Sequence, residues 1–150
     1  MQLTTNFTLY ELVKSQTAVR LGIHNIPGEE EARSLRLVAE HILQPVRDHF
    51  GIPFAPTSGF RCRELNRALK SKDTSQHIKG QAVDLEIPSV SNLELASWIR
   101  DTLKFDQLIL EFYTAGEEAS GWVHCSYVDK NRRMAVLNMT NDAERQAAVA

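Results

Sequence analysis

The chain has 150 residues, a formal net charge of -2, 43% hydrophobic residues and 24% charged residues. That is one domain's worth of chain, long enough to bury a core without staples, and its charge offers no electrostatic footprint for nucleic acid. No apolar run approaches the ~18 residues of a spanning helix, and two cysteines make no disulfide framework.

The opening residues, MQLTTNFTLYELVKS, lack a basic start followed by an apolar block. No secretory leader is read there, so the chain is expected to be cytoplasmic as synthesised. Thr8-Leu9-Tyr10-Glu11 has the capping-box pattern and predicts a short helix through about Ser15. Thr17 to Pro27 reads as a loop. Glu29 to Phe50 reads as the longest helix, because its acidic first turn suits the positive end of the dipole and Leu35, Val38, Ile42 and Val46 recur at helical spacing. Pro45 is expected to kink it and Gly51 to stop it. His24, His41 and His49 read as loop, surface or helix-end histidines; the last two are eight residues apart, too far to share one ion.

Ile52 to Thr57 reads as an extended segment, Arg63 to Leu69 as a short helix, and Lys70 to Thr74 as a polar, mobile loop delivering Ser75 and His77. After the turn at Gly80 alternation sets in, with Val83, Leu85 and Ile87 on one face and Ala82, Asp84 and Glu86 on the other. Ser91-Asn92-Leu93-Glu94 is a second capping box, opening a helix to about Leu103 with Trp98 in the core. Three strands follow at Gln107 to Phe112, Trp122 to Val128 and Met134 to Met139, the last two joined like a hairpin by the charged turn 129–133. In the first, Leu108, Leu110 and Phe112 are expected toward the core and Glu111 away from it. In the second, Val123, Cys125 and Tyr127 form the apolar face, opposite Trp122, His124 and Ser126, so Cys125 reads as a small buried hydrophobe.

The expected architecture is α+β: a small antiparallel sheet with a site on one face and helices packed on the other. Residues 1–140 are expected to form a single domain, with 141–150 a frayed or disordered tail. The site is where His77, Asp84 and His124 meet. A loop histidine and a strand carboxylate flank a glycine turn, and a second strand presents an imidazole from the same kind of surface. Catalytic zinc takes three such protein groups and leaves a fourth position for water.

At these residues the chain resembles the zinc D-Ala-D-Ala carboxypeptidase and dipeptidase family, which includes phage L-alanyl-D-glutamate endolysins and shares its fold with the hedgehog signalling domain. The matching segments are SGFRCRELN, the Ser-x-His-(six residues)-Asp pattern of SQHIKGQAVDLE, and WVHCSY, together spanning Ser58 to Tyr127. The resemblance implies zinc as cofactor, held by His77, Asp84 and His124, with Arg61 beside the substrate carbonyl and Ser75 lining the pocket; Trp122 is expected to join Ser75 in orienting the peptide. It also implies peptidoglycan stem peptides as substrate, action at the bacterial cell wall or periplasm, and a phage or prophage setting. A monomer that neither binds nucleic acid nor enters a membrane is expected. Better-known members carry the general base three residues before the final histidine, where this chain has Gly121. A peptidase needs a carboxylate to move the proton from water to the leaving amine. Glu111 is the first choice for that base, with loop residues Glu117 and Glu118 behind it. The alternative is a non-catalytic zinc domain that recognises a wall peptide or protein.

Overall fold

A computed structural model of the chain describes residues 1–139. The elements run α1 (Leu9–Val13), α2 (Gln16–Leu21), α3 (Glu29–Val38), a π-helical turn (Ala39–Leu43), α4 (Gln44–Phe50), α5 (Arg63–Ala68), β1 (Ala82–Leu85), α6 (Asn92–Thr102), β2 (Gln107–Glu111), β3 (Trp122–Ser126) and β4 (Ala135–Leu137). The class is α+β, as expected. The expected C-terminal tail lies outside the described residues. None of the described helices is long and apolar enough to cross a membrane.

Local chemistry accounts for the helix ends. Thr8 Oγ1 accepts from the Glu11 amide while the Glu11 carboxylate accepts from the Thr8 amide, so the first capping box is complete. At α6 only the serine half forms, Ser91 Oγ accepting from the Glu94 amide. The segment expected to be a loop from Thr17 instead contains α2, because Ser15 Oγ accepts from the Ala18 amide and starts a helix. The expected break at Pro45 also takes another form. The helix widens into the π turn just ahead of the proline, and the Gln44 amide bonds five residues back to the Ala39 carbonyl. That wider turn accommodates a ring that would otherwise crowd the carbonyl one turn earlier. Gly51 ends the helix.

Leu35, Val38, Ile42 and Val46 are fully buried and lay one helix face on the sheet. The sheet order is β1-β3-β2-β4. β1–β3 and β3–β2 are antiparallel, but β4 pairs parallel with β2. The expected β3–β4 hairpin is therefore not formed and the sheet is mixed. The reason lies in the buried Asp106 carboxylate, which accepts from the Arg133 amide and guanidinium, while the Asp106 carbonyl accepts from the Ala135 amide. This carries the chain past β3 to the far side of β2.

The register decides the site. Asp84 lies directly opposite His124, and His124 opposite Ile109. Ser58 pairs with Asp84 as an isolated bridge, extending the row by one position. Cross-strand partners share a face with Cβ atoms about 5 Å apart, so Ser58, Asp84, His124 and Ile109 form one line across the sheet. The opposite face carries Val83, Leu85, Val123, Cys125, Leu108 and Leu110, all buried. Burial pushes the Cys125 thiol pKa up, consistent with an inert core residue.

Candidate metal centre

His77 arrives at this row from the turn at residues 75–80, where the Gly80 amide bonds the His77 carbonyl and the Arg61 amide bonds the same oxygen. Ser75, expected to line the pocket, has its hydroxyl accepting from the His77 amide, so it braces the turn. Gln76 donates to Asp106, tying the loop to the start of β2. The imidazole is 3% exposed, with Nδ1 2.7 Å from the Gly59 carbonyl oxygen. A carbonyl can only accept, so Nδ1 carries a proton, and in the neutral ring it is Nε2 that offers a lone pair to a metal. Gly59 is obligatory there, since a Cβ would lie 2.2 Å from the Leu12 carbonyl oxygen.

His77 Nε2 stands 3.4 Å from Asp84 Oδ1, and His124 Nδ1 stands 3.0 Å from the same oxygen. All three residues are buried, and their ligand atoms lie within 4.8 Å of one another. Ligands around a tetrahedral zinc are about 3.4 Å apart, and two imidazoles with a carboxylate are a donor set that leaves a fourth position open. The residues present fit a zinc ion. Burial alone would raise the Asp84 pKa, but the two adjacent imidazoles, which in their protonated forms donate to the carboxylate and carry positive charge, outweigh it and leave the carboxyl well below the usual range.

Arg61 closes one side. Its guanidinium donates to Ser58 Oγ and Asn66 Oδ1 and lies 3.4 Å from Asp84 Oδ2. Burial lowers its pKa, against the charges of Asp84 and Glu111, which raise it. Glu111 is thus close enough for its field to reach Arg61. It stands half-buried at the end of β2, opposite Trp122 and on the same face as His124. Gly121 explains why a carboxylate is missing from the position used by better-known relatives. Its φ is +68°, and a Cβ would lie 2.0 Å from the Glu111 carbonyl oxygen, so no side chain fits.

Phe112 departs from the alternation that would have turned it to the core. It is 79% exposed with φ +54°, and its ring centroid lies 5.1 Å from that of Trp122. A left-handed residue at a strand end reverses the face its side chain takes. Trp122 is half-buried, and its Nε1 is buried without an acceptor. Glu117 and Glu118 are exposed in the loop that follows.

Two supporting asparagines escaped the sequence reading. Asn25 donates to the Val13 and Phe60 carbonyls and accepts from the Cys62 amide, fixing the segment that bears Arg61. Buried Asn66 donates to the Lys72 carbonyl, and with the Arg67–Asp73 pair it ties down the loop read as mobile. Asn66 had one signal, a polar residue beside Leu65 on the inward face of a short helix; Asn25, in a polar stretch, had none.

In this α+β fold a buried pair of imidazoles and a carboxylate converge as a site able to hold a metal ion. A family model described as Peptidase M15 matches residues 5–126, and the chain belongs to that family. Membership points to a metallopeptidase, and the cluster gives its metal a place. Comparison with curated proteins gave no match.

Proposed function

We propose that the chain is a zinc-dependent peptidase acting on peptidoglycan stem peptides, with His77, Asp84 and His124 as the zinc ligands. Zinc held there supplies Lewis acidity and makes water nucleophilic near neutral pH. His77 serves in the tautomer its bond to Gly59 enforces. Glu111 takes the proton from the attacking water and returns it to the leaving amine. Arg61 steadies the negative charge that develops on the carbonyl oxygen, which its burial and tethers suit it to do without reorganising. Trp122, with Phe112 against it, orients the peptide, while Ser75 keeps His77 aimed.

The observation that carries this reading is the convergence of the three ligand atoms within 4.8 Å beside Arg61, in a chain of the M15 family. The test is cleavage of a synthetic stem peptide by the purified, zinc-loaded protein. Glu111→Gln is expected to keep its zinc and its fold while kcat falls by about 10²–10⁴. Full activity in that variant would remove Glu111 from the mechanism. A zinc-loaded wild type that binds the peptide without cutting it would instead favour the non-catalytic binding domain.

A further inference from the structure

A cavity of about 880 Å³ opens on the side of Arg61 away from β3, between α1 and α2 on one wall and residues 55–61 with α5 on the other. That volume is within the ~300–1,000 Å³ typical of ligand pockets. Arg61 and Ser58 belong both to this cavity and to the surroundings of Asp84, so the cavity begins one side chain from the metal centre. Its charge is one-sided. Lys14, Arg20 and Arg61 line it and no aspartate or glutamate does, although the whole chain carries 19 acidic residues against 17 basic ones. Among the described residues neither Lys14 nor Arg20 pairs with a carboxylate, and both are exposed. The rest of the lining mixes apolar surface, such as Tyr10 at 71% and Val19 at 83% exposed, with Gln16 and Thr17.

We propose that this cavity is a substrate subsite for a carboxylate-bearing residue of the peptide, with Lys14 and Arg20 as specificity-determining cations and Tyr10 and Val19 as the surface under its backbone. The inference rests on the peptidase reading for its ligand, and on charge complementarity and continuity with the metal centre for its place. A peptide held across the metal row extends over Arg61 into the cavity, where unpaired cations favour a free carboxylate over its amide.

The test compares L-Ala-γ-D-Glu-L-Lys-D-Ala with the same peptide carrying an α-amide on the D-Glu, using the full chain. By calorimetry on the metal-free protein, the acid is expected to bind about three- to tenfold more tightly than the amide, the range for one or two exposed charge pairs. The double variant Lys14→Gln/Arg20→Gln should bring that ratio to about one. Lys104→Gln, which removes a charge outside the cavity, should leave it unchanged. With zinc, the acid-to-amide ratio in kcat/KM should follow the same pattern. Equal binding of the two peptides by wild type, a preference kept by the double variant, or one lost equally in Lys104→Gln would each overturn the subsite. Selective binding without any cleavage would overturn the peptidase reading and leave the subsite standing.

Discussion

The two sides of the metal centre are built differently. On the side of residues 58–84, Arg61, Asn66, His77 and Asp84 each have hydrogen-bond partners, and Gly59 lets the backbone come within contact of α1. On the side of residues 111–122, Glu111 and Trp122 are half-buried, Phe112 is exposed in a left-handed conformation, and the indole N–H has no acceptor. Ligands held by buried polar networks are set before a metal arrives, which keeps low the ordering cost that binding would otherwise carry. Groups that must meet substrates gain from being left incomplete. The comparison teaches that metal affinity and peptide recognition are separable here, and each side can be broken without the other.

The largest effect belongs to Asp84, where both histidines and Arg61 converge. Asp84→Asn keeps the shape but removes the charge. Losing an outer-shell partner costs 10–100-fold in metal affinity, so losing this direct ligand should cost more than about 100-fold. Zinc content by elemental analysis should fall from about one ion per chain toward zero, and cleavage with it. The metal-free variant should also be about 3 kcal/mol less stable in urea, because Arg61 is left buried without its carboxylate. Retained zinc would mean that the histidines find their third ligand elsewhere.

A smaller effect comes from Asp106, which holds the His77 loop through Gln76 and turns the chain toward β4 through Arg133. Hydrogen bonds from Arg133, outweighing burial, hold this carboxyl at about 2. Its pKa is lower folded than unfolded, so its contribution to stability is fully present above about pH 4 and is lost as pH falls toward 2. With Arg133 largely in solvent, the contribution is about 1–2 kcal/mol. Asp106→Asn should lower the unfolding free energy by that amount at pH 7, and the gap to wild type should close between about pH 4 and pH 2. A gap that stays constant with pH would assign the effect to packing.

What the sequence revealed follows the same division. Asp84 and His124 were legible because strand alternation and antiparallel pairing are enough to bring a carboxylate and an imidazole opposite each other; His77, in a turn, was read from its place across the glycine turn and from the family resemblance. The buried face of the long helix was legible from its period. Three features were not, because each depends on a backbone conformation or a long-range contact that no local side-chain pattern announces. They are the π turn before Pro45, the parallel pairing of β4 and the reversal at Phe112. The short helix α2 was missed for a different reason, since six residues are too few for a period to show. Gly121 read as a missing base. Only the approach of its Cα to the Glu111 carbonyl turns that absence into a steric requirement.

Phe112 gives the finest test of the open side, because its contributions to stability oppose each other. A non-glycine residue in the left-handed region costs about 1–2 kcal/mol, and glycine would remove that strain. The ring's pairing with Trp122 contributes about 0.5–1.5 kcal/mol, and at 79% exposure little else holds it. Phe112→Gly should therefore leave the unfolding free energy within about 1 kcal/mol of wild type and the zinc content unchanged. If the ring supports the peptide beside Trp122, KM should rise about three- to tenfold while kcat stays near wild type, since losing one aromatic contact of about 1 kcal/mol weakens ground-state and transition-state binding alike. A variant that is distinctly less stable but has an unchanged KM would assign the ring to the fold, and the strained backbone would then have no part in recognising substrate.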